Sequence, residues 1–216
     1  GLNTDSEPEL TGNAPRKIAE NASKIDCLIT LGPLTNVAIA FQKYPEKMEN
    51  LDKIVIMGGA VEGIGNQNRV AEFNFWNDPE AADIVFNKSL EKVLVPLEPC
   101  NDILLTENHL EELEGSKLYT PMKKMLEPYM HNIKEELDVE GALMYDPLAV
   151  FAALKPSICN FKQMDVVIET EGEHTRGMTV ADRRDYSDKS PNCKVVTSIE
   201  SSDFLSEFIE KAGKEV

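Results

Sequence analysis

Basic residues are scarce. The 216-residue chain has 22 lysines and arginines against 38 aspartates and glutamates, a formal net charge of −16. A surface this acidic repels phosphate and anionic headgroups, which argues against nucleic acid or a membrane surface as a partner. Long apolar runs are also missing, and none approaches the roughly 18 residues that a membrane-spanning helix needs. Only four cysteines occur, Cys27, Cys100, Cys159 and Cys193. They form no CxxC pair and have no zinc-ligand spacing, so free reduced thiols are expected. The opening GLNTDSEPELTGN has neither a basic start nor an apolar stretch, and no secretory leader is expected. Together with the thiols, this points to a cytoplasmic protein. No internal repeat, low-complexity tract or dividing linker interrupts the chain. With 42% hydrophobic residues, it is expected to form a single domain over residues 1–216.

What is present is an alternation of two periodicities. Cys27 to Leu31 is a short apolar run ended by Gly32-Pro33, read as a buried strand. Leu34 to Tyr44 has apolar residues at helical spacing and is closed by Pro45. Lys53 to Met57 is a second strand, ended by Gly58-Gly59. Asp78-Pro79-Glu80 opens a helix with an N-cap acid and a proline at the first helical position, and Ala81, Ile84 and Val85 form its apolar stripe. Lys92 to Leu97 is a third strand. Strands alternating with helices at this spacing predict βαβ units, an α/β fold with an open, mainly parallel sheet and flanking helices. Further on, 106–137 reads as mostly helical, with breaks at Pro121 and Pro128. Leu148 to Leu154 is a helix opened by Asp146-Pro147. Val166 to Glu169 and Lys194 to Ile199 are late strands, and Glu200 to Ala212 is a closing helix.

In open parallel sheets, ligands bind beyond the carboxyl ends of the strands. The loops expected there carry Leu31-Gly32-Pro33, Met57-Gly58-Gly59 with Asn66, Glu72 and Asn74, then Glu98-Pro99-Cys100, and Tyr145-Asp146. The stretch 63–77 is longer than the usual βα connection of about two to six residues. These loops offer carboxylates, carboxamides and backbone carbonyls but no basic cluster. Such a set suits a hydroxyl-rich neutral ligand or a hard cation bound by oxygens, and not a phosphate.

Leu31-Gly-Pro-Leu-Thr-Asn36, Ile56-Met-Gly-Gly59, Ala71-Glu-Phe-Asn74 and Asp78-Pro-Glu-Ala-Ala82 resemble, in order and spacing, the inosine-uridine-preferring nucleoside hydrolases. Tyr145-Asp-Pro-Leu-Ala-Val150, Glu169-Thr-Glu-Gly172 and Thr175-Arg-Gly-Met-Thr-Val180 extend the resemblance from about Ile25 to Arg184. It implies a Rossmann-like nucleoside hydrolase fold. It also implies calcium-assisted attack of water on the bond between ribose and base, with a ribonucleoside as substrate. Carried over residue by residue, Leu31 would give its backbone carbonyl to calcium and Asp146 its carboxylate. Asn66, Glu72 and Asn74 would hold ribose hydroxyls, Met57 would line the sugar pocket, and Asp146 would also border the substrate.

Two departures from the family pattern stand out. The aspartate-rich DxDxxxDD-type motif, which supplies the family's remaining calcium ligands and its catalytic base, has no counterpart here; Asp5-Ser-Glu-Pro-Glu has the wrong spacing and no preceding strand. The family's N-terminal strand-helix units are thus expected to be missing, leaving a long apolar sheet edge and a truncated or split enzyme. The expected partners are a chain that supplies that part or further copies of this one, since the family forms homo-oligomers. A non-catalytic nucleoside- or pentose-binding relative and an assembly protein are the alternatives. The second departure is Tyr145, which stands where many members have a histidine that protonates the leaving base. Tyrosine can donate a proton but is a weaker acid. Among other conspicuous residues, Asp146 doubles as a helix N-cap candidate. Trp76 is expected in the core. His109, His131 and His174 are expected on the surface, and Asp182-Arg183-Arg184 either closes over the pocket or forms a surface ion pair.

Overall fold

A computed structural model describes residues 13–184 and 190–214; the opening stretch with Asp5 lies outside them. α1 (Ala14–Asn21) leads to β1 (Leu28–Thr30), and α2 (Thr35–Lys43) and α3 (Pro45–Met48) return the chain to β2 (Lys53–Met57). A long loop, α4 (Phe73–Asn77) and α5 (Pro79–Phe86) precede β3 (Glu91–Val95). Then come α6 (Leu97–Asn101), β4 (Leu104–Leu105), α7 (Glu107–Glu111), α8 (Tyr119–Leu137), β5 (Ala142–Leu143) and α9 (Tyr145–Leu154). β6 (Cys159–Met164), β7 (Val166–Ile168), β8 (Thr179–Ala181), β9 (Cys193–Ile199) and α10 (Ser201–Gly213) follow.

The main sheet has the order β1-β2-β3-β9-β6. Its first four strands are parallel and β6 is antiparallel to β9. Two antiparallel ribbons, β4–β5 and β7–β8, sit outside it. Ile54, Ile56, Leu94 and Val195 point into one core, shared with Ala19 of α1, Val37 of α2 and Val85 of α5. Val55, Met57, Val93, Val95 and Val196 point into the other, shared with Cys100 of α6, Met130 of α8, Leu148 of α9 and Phe204 of α10. Coverage of both faces is why β2 and β3 read as continuous apolar runs.

The α5 start is as the sequence implies: Asp78 Oδ1 accepts the Ala81 amide at 3.2 Å, and Oδ2 accepts the Thr35 hydroxyl, tying α5 to α2. Other expectations are corrected. β3 stops at Val95, because Pro96 has no N–H and Leu97 turns its own to the Gly59 carbonyl at 3.0 Å. Neither Pro121 nor Pro128 breaks α8. Pro121 lies in the first turn, where amides have no intrahelical acceptor, and Pro128 is tolerated inside a helix held by Met122, Leu126, Tyr129 and Met130 against the second core. Trp76 is 42% exposed and not a core residue. The sheet does end at β1 among the described residues, but that edge is three half-buried residues and not a long apolar face. The four cysteines are free, as expected.

Candidate functional site

The carboxyl ends of β1, β2 and β3 open into Leu31, the 58–72 loop and α6. Gly58 donates to the Val95 carbonyl at 3.2 Å, so the loop leaves β2 alongside the end of β3. Gly59 has φ +74°, and a Cβ there would come within 2.5 Å of Thr179 Oγ1, so only glycine fits. Three side chains then hold successive parts of the loop. Glu72 Oε2 accepts the Gly59 amide at 2.9 Å, Thr179 Oγ1 the Ala60 amide at 3.3 Å, and Glu98 Oε1 the Glu62 amide at 2.7 Å.

Glu72 is 2% exposed and caps α4, accepting the amides of Asn74 at 2.8 Å and Phe75 at 3.2 Å. Burial raises its pKa above the ordinary carboxylate range; the three amides oppose that, and the nearby Asp146 charge adds to it. Asn74, 6% exposed, donates from Nδ2 to the Met57 carbonyl at 3.1 Å and lies 3.3 Å from the Met57 sulfur. Met57, Glu72 and Asn74 are therefore one connected group. Asn66 is exposed on the same loop, and its Oδ1 accepts the Phe73 amide at 2.9 Å, which ties it to the residue between Glu72 and Asn74.

Across from this group, α9 packs on β1, β2 and β3. Tyr145 begins it, and its hydroxyl donates to Asn101 Oδ1 at 3.1 Å. Burial pushes the phenol pKa well above its ordinary value, with Tyr129, Cys100 and Glu72 adding in the same direction. Asp146 stands in the first turn of α9, one position inside the helix start. It is not the N-cap, which is Met144. Partial burial raises its pKa. Leu31, 41% exposed, follows β1. A partly buried carboxylate whose charge acts on a fully buried one is the kind of environment found at functional sites.

Sequence reasoning passed over Asn101, Thr179 and Glu98 as individual contributors. Glu98 was visible as a carboxylate just after a strand end and Thr179 lay inside the Thr175–Val180 motif without a role of its own; Asn101 had no local pattern to mark it. His109 differs from the expected bare surface histidine, since its Nδ1 accepts the Thr106 amide at 3.1 Å in a capping box at the start of α7. His131 and His174 are exposed, and Arg184 pairs with Asp182 at 2.7 Å.

The fold and these loops define an α/β protein whose strand ends carry carboxylates and carboxamides. The model of the inosine-uridine preferring nucleoside hydrolases matches residues 2–206, and the chain belongs to that family. It is 33% identical over 203 residues to the pyrimidine-specific ribonucleoside hydrolase RihA of Shigella boydii, a match covering 91% of this chain and 63% of that protein. The purine-preferring ribonucleoside hydrolase from Gardnerella vaginalis superposes with a TM-score of 0.85 at 28% identity, over 96% of this chain and 66% of that one. An inosine-guanosine nucleoside hydrolase superposes with a TM-score of 0.79 at 28% identity, over 93% and 67%. The chain thus spans just under two thirds of the length of the curated relative.

Proposed function

We propose that this chain carries the ribose-holding part of a ribonucleoside N-ribohydrolase. One observation carries this reading: Met57, Glu72 and Asn74 form a single hydrogen-bonded group at the carboxyl edge of the sheet, with Asp146 near enough for its charge to act on Glu72. Amides and carboxylates can bridge vicinal hydroxyls, and burial strengthens such bonds. Asn74 and Glu72 bind and orient the sugar, Asn66 closes over it from the loop, and Met57 supports its apolar face. Tyr145 supplies a phenolic proton toward the leaving base. Since burial raises its pKa, the phenol acts as a neutral hydrogen-bond donor more than as a strong acid.

The resemblance implies calcium, whose role would be to lower the pKa of the attacking water. Calcium takes roughly six to eight oxygen ligands. The Leu31 carbonyl and the Asp146 carboxylate are two. Among the described residues, no group of three or more His, Cys, Asp or Glu side chains could hold a metal ion. The described residues therefore do not fit a complete calcium cage. Pairing with a chain that supplies further ligands, or with further copies of this one, belongs to the same proposal, as does a cytoplasmic setting. The relatives' names divide between pyrimidine and purine bases, so both belong in the assay.

The test is ribose release from inosine and uridine by the purified chain, alone and with the N-terminal third of a relative supplied in trans. Little turnover alone and calcium-dependent turnover with the added segment is the expected result. Robust, chelator-sensitive turnover by the chain alone would overturn the reading of an incomplete metal site. Failure to bind or cleave either nucleoside under both conditions would overturn the function.

A further inference from the structure

Of the three side chains that hold the 58–72 loop, Glu98 is chemically the odd one. Glu72 spends both of its oxygens on amides, and Thr179 needs only one. Glu98 gives Oε1 to the Glu62 amide, while its Oε2 is buried with no hydrogen-bond partner among the described residues. A buried carboxylate oxygen that carries charge and receives no donor is costly, whereas a neutral carboxylic acid loses far less there. The titratable groups that bear on Glu98 are Glu62 on the loop and Cys100 on its own helix, and neither brings a positive charge.

We propose that Glu98 is a positioning residue, a neutral carboxylic acid whose carbonyl oxygen latches the Glu62 amide and so fixes the loop that presents Asn66 and Glu72. Burial holds its pKa above the ordinary carboxylate range; the amides of Glu62, Glu98 and Val61 oppose that, and the Glu62 charge adds to it. The relevance of the latch to ligand binding rests on the ribose reading above; the latch itself does not.

Two variants test it in the full chain. Glu98→Gln keeps the carbonyl acceptor and never ionises. Glu98→Leu keeps the bulk and removes the acceptor. Amide hydrogen exchange at Glu62 is expected to stay within about twofold of the parent in the Gln variant and to speed up about tenfold in the Leu variant, the scale of one lost hydrogen bond. The parent's melting temperature should fall relative to the Gln variant as pH rises. A group with a raised folded-state pKa contributes stability below its unfolded value and loses it as pH climbs through the folded one. Uridine affinity should drop in the Leu variant and return in the Gln variant. A Leu variant whose Glu62 amide stays as protected as the parent's would overturn the proposal. So would parent and Gln variant melting in parallel from pH 4.5 to 8, a comparison that decides the matter even if the Leu variant does not fold. Uridine binding to none of the three, with exchange behaving as expected, would overturn the ribose reading and leave the latch standing.

Discussion

Asn74 and Met57 are joined by a hydrogen bond from the carboxamide nitrogen to the backbone carbonyl at 3.1 Å. The bond fastens the first turn of α4 to the last residue of β2, so the long loop between them is closed at both ends. Asn74→Asp would set a carboxylate against that carbonyl and beside Glu72. It is expected to cost about 1–3 kcal/mol at pH 8. Part of the loss should return at pH 5, where a protonated aspartate again donates. Urea denaturation at the two pH values measures both effects.

Glu72 is the more demanding position, because its two oxygens receive three backbone amides. Glutamine in its place turns an NH2 toward at least one of those donors. Glu72→Gln should therefore destabilise the chain by about 1.5–3 kcal/mol, the scale of a hydrogen bond to a charged group. Unchanged thermal unfolding would show that these amides find other acceptors.

Tyr145→Phe removes the hydroxyl that donates to Asn101. Stability should change by about 0.5–1.5 kcal/mol. In an assembly completed in trans, turnover should fall by about tenfold, short of the roughly 10²–10⁴-fold that a matched general acid contributes. A larger loss, with the parent's fall in rate at alkaline pH absent from the variant's profile, would make the phenol a true proton-transfer group.

Pro128 lies inside α8. It leaves the carbonyl one turn back without its amide and costs a helix interior about 3 kcal/mol. Pro128→Ala should raise the melting temperature and the helical circular dichroism signal. A drop in stability would mean that proline at this position is needed to seat α8 on the second core.

The parallel part of the sheet was legible because β2 and β3 are buried on both faces and so are written in Ile, Val and Leu. α5 was legible because Asp78 and Pro79 act locally. β6 was not, since Asn160, Lys162 and Gln163 face solvent on an outer antiparallel strand and leave no apolar period to read. β8 was missed because three residues carry too little pattern. In the site, Glu72 and Asn74 stood out through the motif that surrounds them. Their mutual bonding through Gly59 and Met57 depends on contacts up to 17 residues apart, and the Thr179–Ala60 bond spans 119. No window of sequence contains that last pair. The continuity of α8 through two prolines was misread because proline's cost is local, while the packing that outweighs it is not.

The two outer strands of the main sheet are unlike each other. β6 turns exposed polar residues, including a lysine, toward solvent, and such a margin resists further pairing. β1 is short and half-buried, and stands outermost on the parallel side among the described residues. Linear polymerisation through sheet edges needs two adhesive margins on every unit. The β6 margin lacks that adhesion, so the sheet is closed to strand-by-strand growth on its antiparallel side.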